Sequence, residues 1–197
     1  MDPAWECLAS RVQNNPTGPK STGRPWRALV IGFGRGFEVI ALLRRVARDA
    51  PGSRWEITGL EPNPDWLEPW PPRWIGLQPE EAPWWGMPGT DWTLAHGSVQ
   101  LRIEPVRAAA WLAAAPAQSL DLVLLDLFSP ARPAEDWEQS LAEGLAHAAG
   151  IEAVLTGYSC ARSVRESLAG AGWSVERLRR RGLRDSLRAV WMSNRTA

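Results

Sequence analysis

The stretch RALVIGFGRGFEVIALLRRVARDAPG, residues 27–52, decides the fold. Ala28 to Gly32 is a short apolar run closed by glycine, which predicts a buried strand. From Phe37 the apolar residues recur at helical spacing as far as Ala50, and Pro51-Gly52 stops the helix. Between the two lies Gly32-Phe33-Gly34-Arg35-Gly36. Glycines at a strand-to-helix turn let a ligand come close to the backbone, and the helix N-terminus offers unpaired N–H groups. The spacing is G-x-G-x-G, which differs from the dinucleotide pattern G-x-G-x-x-G, and the Lys-Ser/Thr of a P-loop is missing. A tight turn that holds no ligand is the alternative for this stretch on its own.

Working outward, WEITGLEP (55–62) and VQLRIEP (99–105) predict strands, and VRAAAWLAAA (106–115) a helix. SLDLVLLDLF (119–128) is the clearest buried strand. PAEDWEQSLAEGLAHA (133–148) predicts a helix with proline at its entrance. IEAVLTGYS (151–159) predicts a strand and CARSVRESLAGAG (160–172) a helix, while WSVERLRR (173–180) and SLRAVWMS (186–193) close the chain as a pair of strands. Alternating strands and helices imply an α/β fold, with a mostly parallel sheet covered by helices on both faces and right-handed connections. Residues 1–24 are polar and read as a loose, flexible leader to one domain over 25–197. Residues 62–97, dense in Pro and Trp, read as an insertion with a short helix near 65–70.

The 197 residues suffice for one well-buried core without a disulfide or metal staple. Ordinary apolar and charged content excludes a disordered chain, and no run of 18 apolar residues predicts a membrane span. With no basic start ahead of an apolar core, no signal peptide is expected, so Cys7 and Cys160 read as reduced thiols of a cytoplasmic protein. His96 and His147 lie in no metal spacing, and no metal is expected. Basic and acidic residues balance at 22 each, but from Ile151 onward nine arginines face four acids. Such a tail could meet phosphate or be no more than a solvated surface. The 13 Trp, many between 66 and 92, suit covering an insertion better than stacking bases.

Two carboxylates stand out. Glu61 ends the second strand, where an acid can accept both hydroxyls of a ribose, as NAD or S-adenosylmethionine would require. Asp126 is delivered to the end of the most apolar strand, where a carboxylate can orient an amine and take its proton. Phe128 and Pro130 follow as candidate walls for a flat base. A surface acid and a turn cap are the plainer roles for the two carboxylates. Cys160 opens a helix but has no histidine partner nearby in sequence, which favours a packing role.

IGFGRG (31–36), Glu61, MPGTDWTLAHGSVQLRI (87–103), LDLFSPARPAEDW (125–137) and TGYSCARSVRESLAGAGW (156–173) follow one another in order at suitable spacing. Together they resemble the methyltransferase domain of the MnmC-like family, from about Arg27 to Val190. FSPARPAEDW is the most specific phrase. The resemblance implies a Rossmann-like class I methyltransferase with a seven-stranded sheet. It implies S-adenosylmethionine as cofactor and the aminomethyl group on the wobble uridine of tRNA as acceptor. FAD, used by a second domain in some members, is not expected. By position, Gly32, Phe33, Gly34 and Gly36 would shape the methionine end of the cofactor site and Glu61 would hold the ribose. Glu104 would stand in for the acid that faces adenine. Asp126, with Phe128, Ser129 and Pro130, would sit where cofactor and amine meet. Arg35 stands where the family has a small residue, Glu38 where Asn is frequent, and Pro105 beside Glu104 where the family has Gly-Asp. A small amine as acceptor, or an aminopropyl transferase, is the first alternative. A methyltransferase fold kept only for binding is the second.

Overall fold

A computed structural model of the chain describes residues 2–14, 18–19, 24–63, 91–93, 99–127, 139–179 and 185–192. Five helices and eight strands lie among them: α1 Asp2–Asn14, β1 Trp26–Ile31, α2 Phe37–Asp49, β2 Trp55–Leu60, β3 Asp91–Thr93, β4 Val99–Glu104, α3 Ala108–Ala114, β5 Leu120–Leu125, α4 Gln139–Ala148, β6 Ala149–Gly157, α5 Arg162–Gly170, β7 Trp173–Leu178 and β8 Ser186–Trp191. The expected short helix at 65–70, the Trp-rich residues 64–90 and the entrance of the fourth helix fall outside the described residues.

The strands form one sheet in the order β3-β4-β2-β1-β5-β6-β8-β7. β4, β2, β1, β5 and β6 run parallel, while β3, β8 and β7 each pair antiparallel with a neighbour. The sheet is therefore mixed, and β3 makes eight strands where the family resemblance implied seven. The physical reason lies in the connections. Only seven residues separate Leu178 from Ser186, too few for the crossover that a parallel pair needs, so β7 and β8 pair antiparallel.

Side chains alternate across the sheet and divide the core into two layers. Ala28 and Val30 of β1 and Leu122 and Leu124 of β5 point to the layer holding Val39, Leu42 and Val46 of α2 and Leu8 and Val12 of α1. Leu29, Ile31, Val123 and Leu125 point to the layer holding Leu112 of α3, Leu141 and Leu145 of α4, and Val164 and Leu168 of α5. Burial on both faces is why β1 and β5 read as unbroken apolar runs.

Residues 2–14, expected as part of a loose leader, form α1 instead. Leu8 and Val12, one helical turn apart, are fully buried, and the Arg11 guanidinium lies over the Trp26 ring at 5.4 Å. That short apolar stripe was hidden by the polar composition around it. Asp121, at the start of β5, is buried and receives the guanidinium of Arg24 at 2.7 and 3.1 Å and the backbone N–H of Arg27 at 2.9 Å. The paired charge ties the segment before β1 to the middle of the sheet.

Candidate active site

The register of the sheet lines up the candidate residues. Leu125, Ile31, Leu60 and Glu104 are consecutive partners across β5, β1, β2 and β4. The residues that leave the first three strands are therefore Asp126, Gly32 and Glu61, at one level along the carboxyl edge. Between β1 and β5 the strand order reverses, which is where open α/β sheets bind ligands.

The turn after β1 is built around glycine. Gly32, Gly34 and Gly36 all have left-handed backbone, with φ of 75°, 51° and 78°. At Gly32 there is also no room: a Cβ there would lie 2.5 Å from the carbonyl oxygen of Asp126. The backbone N–H groups of Gly32 and Phe33 both donate to the Leu60 carbonyl, at 3.1 and 2.9 Å, and that of Asp126 donates to the Ile31 carbonyl at 2.9 Å. Phe33 turns its ring into the core beneath Gly59, so its side chain serves packing rather than the crevice.

Glu61 is 7% exposed, and both carboxylate oxygens are engaged. One accepts the Gly34 N–H at 2.8 Å and the other the Asn63 N–H at 3.0 Å. Each oxygen keeps a further lone pair, and Glu61 borders the crevice. The carboxylate thus fixes the glycine turn against the loop after β2. Glu61→Gln sets an amide NH2 against one of these N–H groups and removes the charge from the other bond. A loss of about 1.5–3 kcal/mol of stability is expected, read by denaturant unfolding.

These residues surround a cavity of about 320 Å³, within the range of small-molecule and cofactor sites. Gly32, Gly34, Glu61 and Asp126 contribute to its wall, with Leu60, Asn63, Val106, Arg107, Ala108 and Leu127. Gly36 caps α2 behind the turn and does not line it. Nor does Glu104: the loop after β4 contributes Val106, Arg107 and Ala108 instead. Arg35 is not in the wall either. Phe128, Ser129 and Pro130 lie outside the described residues. Asn63 and the residues after β4 carried no sequence signal beyond following a strand end.

Asp126 leaves its side chain exposed at the mouth of the crevice, yet its carboxyl is pushed up to about 6, first by loss of water around it and second by the charge of Glu38. The two carboxylates of β5 thus have opposite fates. Asp121 at one end is locked to Arg24, and Asp126 at the other faces the crevice. Cys160 packs against the second core layer, and burial, then Asp185, raises its thiol pKa, which suits packing better than nucleophilic work. In the basic tail, Arg162 pairs with Glu166, Arg177 with Asp185 and Arg188 with Glu176. Arg180, Arg181, Arg184 and Arg195 lie outside the described residues. Among the described residues no group of His, Cys, Asp and Glu is arranged to hold a metal, and no helix is long and apolar enough to cross a membrane.

Comparison with known proteins bears on the family and the fold. A family model described as S-adenosyl-L-methionine-dependent methyltransferase matches residues 84–191, more than half of the chain. The bifunctional protein MnmC of Aeromonas hydrophila, of tRNA 5-methylaminomethyl-2-thiouridine biosynthesis, is 40% identical over 68 residues. That stretch is 34% of this chain and only 10% of the relative. The crystal structure of MnmC2 from Aquifex aeolicus superposes with a TM-score of 0.66 at 21% identity, covering 91% of this chain and 56% of that one. Human methyltransferase-like protein 13, solved in complex with SAH, superposes with a TM-score of 0.55 at 16% identity, covering all of this chain and 84% of that one.

Proposed function

The chain belongs to the S-adenosyl-L-methionine-dependent methyltransferase family, as an MnmC-like member, and from that premise we propose that it methylates an amine, the aminomethyl group of a tRNA wobble uridine, at Asp126. One observation carries the proposal: Gly32, Glu61 and Asp126 leave three adjacent strands at one level and meet around a single cavity at the switch point.

The residues present fit the cofactor. The cavity has the volume, Gly32 and Gly34 keep side chains out of it, and the buried Glu61 carboxylate offers two acceptors for a diol. Leu60, Val106 and Leu127 give apolar walls for a flat base. When bound, S-adenosylmethionine supplies an electrophilic methyl on sulfur. Transfer forms an N–C bond and breaks an S–C bond, leaving the electron pair on sulfur and a proton to be removed from nitrogen. Asp126 is placed to hold the amine and accept that proton. Its raised proton affinity brings it nearer to that of an amine, which eases the transfer. Alignment of nitrogen, methyl and sulfur, with water kept out, supplies much of the remaining rate.

Calorimetric titration with S-adenosylhomocysteine should give saturable binding, with Glu61→Gln weaker by about tenfold or more, in line with the loss of a charged hydrogen bond. Incubation with S-adenosylmethionine and tRNA carrying 5-aminomethyl-2-thiouridine should then yield the 5-methylaminomethyl nucleoside by mass spectrometry. No binding of the adenosyl ligand sinks the enzyme assignment. Binding with no transfer to tRNA, but with transfer to free amines, favours the second reading, a small-amine acceptor. The ion pairs of Arg162, Arg177 and Arg188 support that reading, because they withdraw charge from a phosphate-binding face.

A further inference from the structure

Asp126 borders a second cavity. It lies between the N-terminal turn of α2 and the ends of β5, β6 and β8, walled by Glu38, Asp126, Thr156, Tyr158 and Ser186. Its volume is about 10 Å³, the room needed by one water-sized group. The Tyr158 hydroxyl donates to Glu38 Oε1 at 2.6 Å, which leaves the second carboxylate oxygen to another donor. Thr156 is already committed, donating to the Leu187 carbonyl at 3.0 Å. Ser186 is different. It is 5% exposed, and its hydroxyl has no hydrogen-bond partner within the protein, although it borders this polar cavity. A buried hydroxyl without a partner is costly unless something else satisfies it.

We propose that this small cavity is the head-group pocket for the methyl acceptor, and that Glu38 is its specificity-determining residue, selecting a cationic amine over an alcohol. The proposal rests on the methyl-transfer reading above. A primary ammonium has three N–H donors and is about the size of the space, and loss of one proton to Asp126 then frees the nitrogen lone pair that attacks the methyl. Glu38, Asp126 and Ser186, which line it, each carry an oxygen acceptor. A hydroxyl in place of the amine brings one donor and no charge, so two acceptors and both carboxylates stay uncompensated. That is the arrangement from which large discrimination arises. Glu38 also reports its nearness through its charge, which is felt at Asp126. Its position in the first turn of α2 would suit an acid for helix stability alone, a role that gives no preference between amine and alcohol.

The test uses the full chain saturated with S-adenosylhomocysteine and titrated by calorimetry with 5-aminomethyluridine and with 5-hydroxymethyluridine. The expected result is a preference for the amine of about a hundredfold or more in the native protein. In Glu38→Gln and, separately, Ser186→Ala, that preference should fall by about tenfold or more, while affinity for S-adenosylhomocysteine stays unchanged, since neither side chain borders the larger cavity. Ser186→Ala removes a hydroxyl that holds nothing within the protein, so loss of the fold is not expected to obscure the result. An unchanged preference in both variants overturns the proposal and leaves the methyltransferase assignment standing, as does a native protein that binds amine and alcohol alike. Failure to bind S-adenosylhomocysteine at all overturns both.

Discussion

Asp126→Ala is expected to lower kcat/KM for methyl transfer about a hundred- to ten-thousandfold, the range for loss of a positioned proton acceptor, with the fold intact. The fold should survive because the side chain supports none of the local structure. The bond that ties the end of β5 to β1 is made by the Asp126 backbone N–H, which alanine keeps. S-adenosylhomocysteine should still bind, since Glu61 and the glycine turn are untouched. In the native enzyme kcat/KM should fall as pH drops through about 6, where the Asp126 carboxylate gains its proton. Glu38→Gln should move that limb to lower pH by removing the second cause of the raised pKa. Stability should run the opposite way. The folded protein binds the Asp126 proton more tightly than the unfolded chain does, so this group's contribution is greatest below about pH 4 and is lost as pH rises toward about 6. Asp126→Asn should therefore melt at a higher temperature than the native protein at pH 8 and show no such gain at pH 4. A turnover close to native in Asp126→Ala would overturn the role given to this residue.

Much of this was legible in the sequence, for identifiable reasons. β1 and β5 are buried on both faces, so their apolar runs stood out. Asp126 and Glu61 were marked by being acids at the ends of such runs, and the shared register of four strands then brought them to one level. α1 was hidden because its buried stripe is short and its neighbours are polar. The motif does not reveal that the Phe33 ring turns into the core, where it occupies the space a Cβ on Gly59 would take. The small cavity had no signal in the sequence. Glu38, Asp126, Tyr158 and Ser186 come from four separate elements, and only the insertion of β8 beside β6 brings Ser186 to the others. Nor does a count of charge along the tail reveal that Arg177 of β7 pairs with Asp185 and Arg188 of β8 with Glu176.

Gly32→Ala should be strongly damaging, because both backbone conformation and space exclude a side chain there. Left-handed backbone alone costs a non-glycine residue about 1–2 kcal/mol. Gly52 has a comparable φ of 85° but nothing within 4 Å of where its Cβ would stand, so Gly52→Ala measures that conformational cost by itself. At Gly32, where φ is 75°, the new methyl would meet the Asp126 carbonyl oxygen at 2.5 Å and its carbon at 3.0 Å. Both are backbone atoms of the neighbouring strand end and cannot turn aside as a side chain would. Relief requires β5 to draw away from β1, which strains the bond from Asp126 to Ile31 and those from Gly32 and Phe33 to Leu60. Each bond weakened adds about 1 kcal/mol. The expected loss is about 3 kcal/mol or more, a fall in melting temperature of roughly 6–12 °C for a chain of this size, against roughly 2–8 °C for Gly52→Ala. The same displacement moves Asp126 relative to Glu61, so affinity for S-adenosylhomocysteine should collapse in Gly32→Ala and persist in Gly52→Ala. Equal losses in the two variants would mean that β1 and β5 do not close on one another at Gly32, and the crevice would then need a different frame from the one drawn by the register of the sheet.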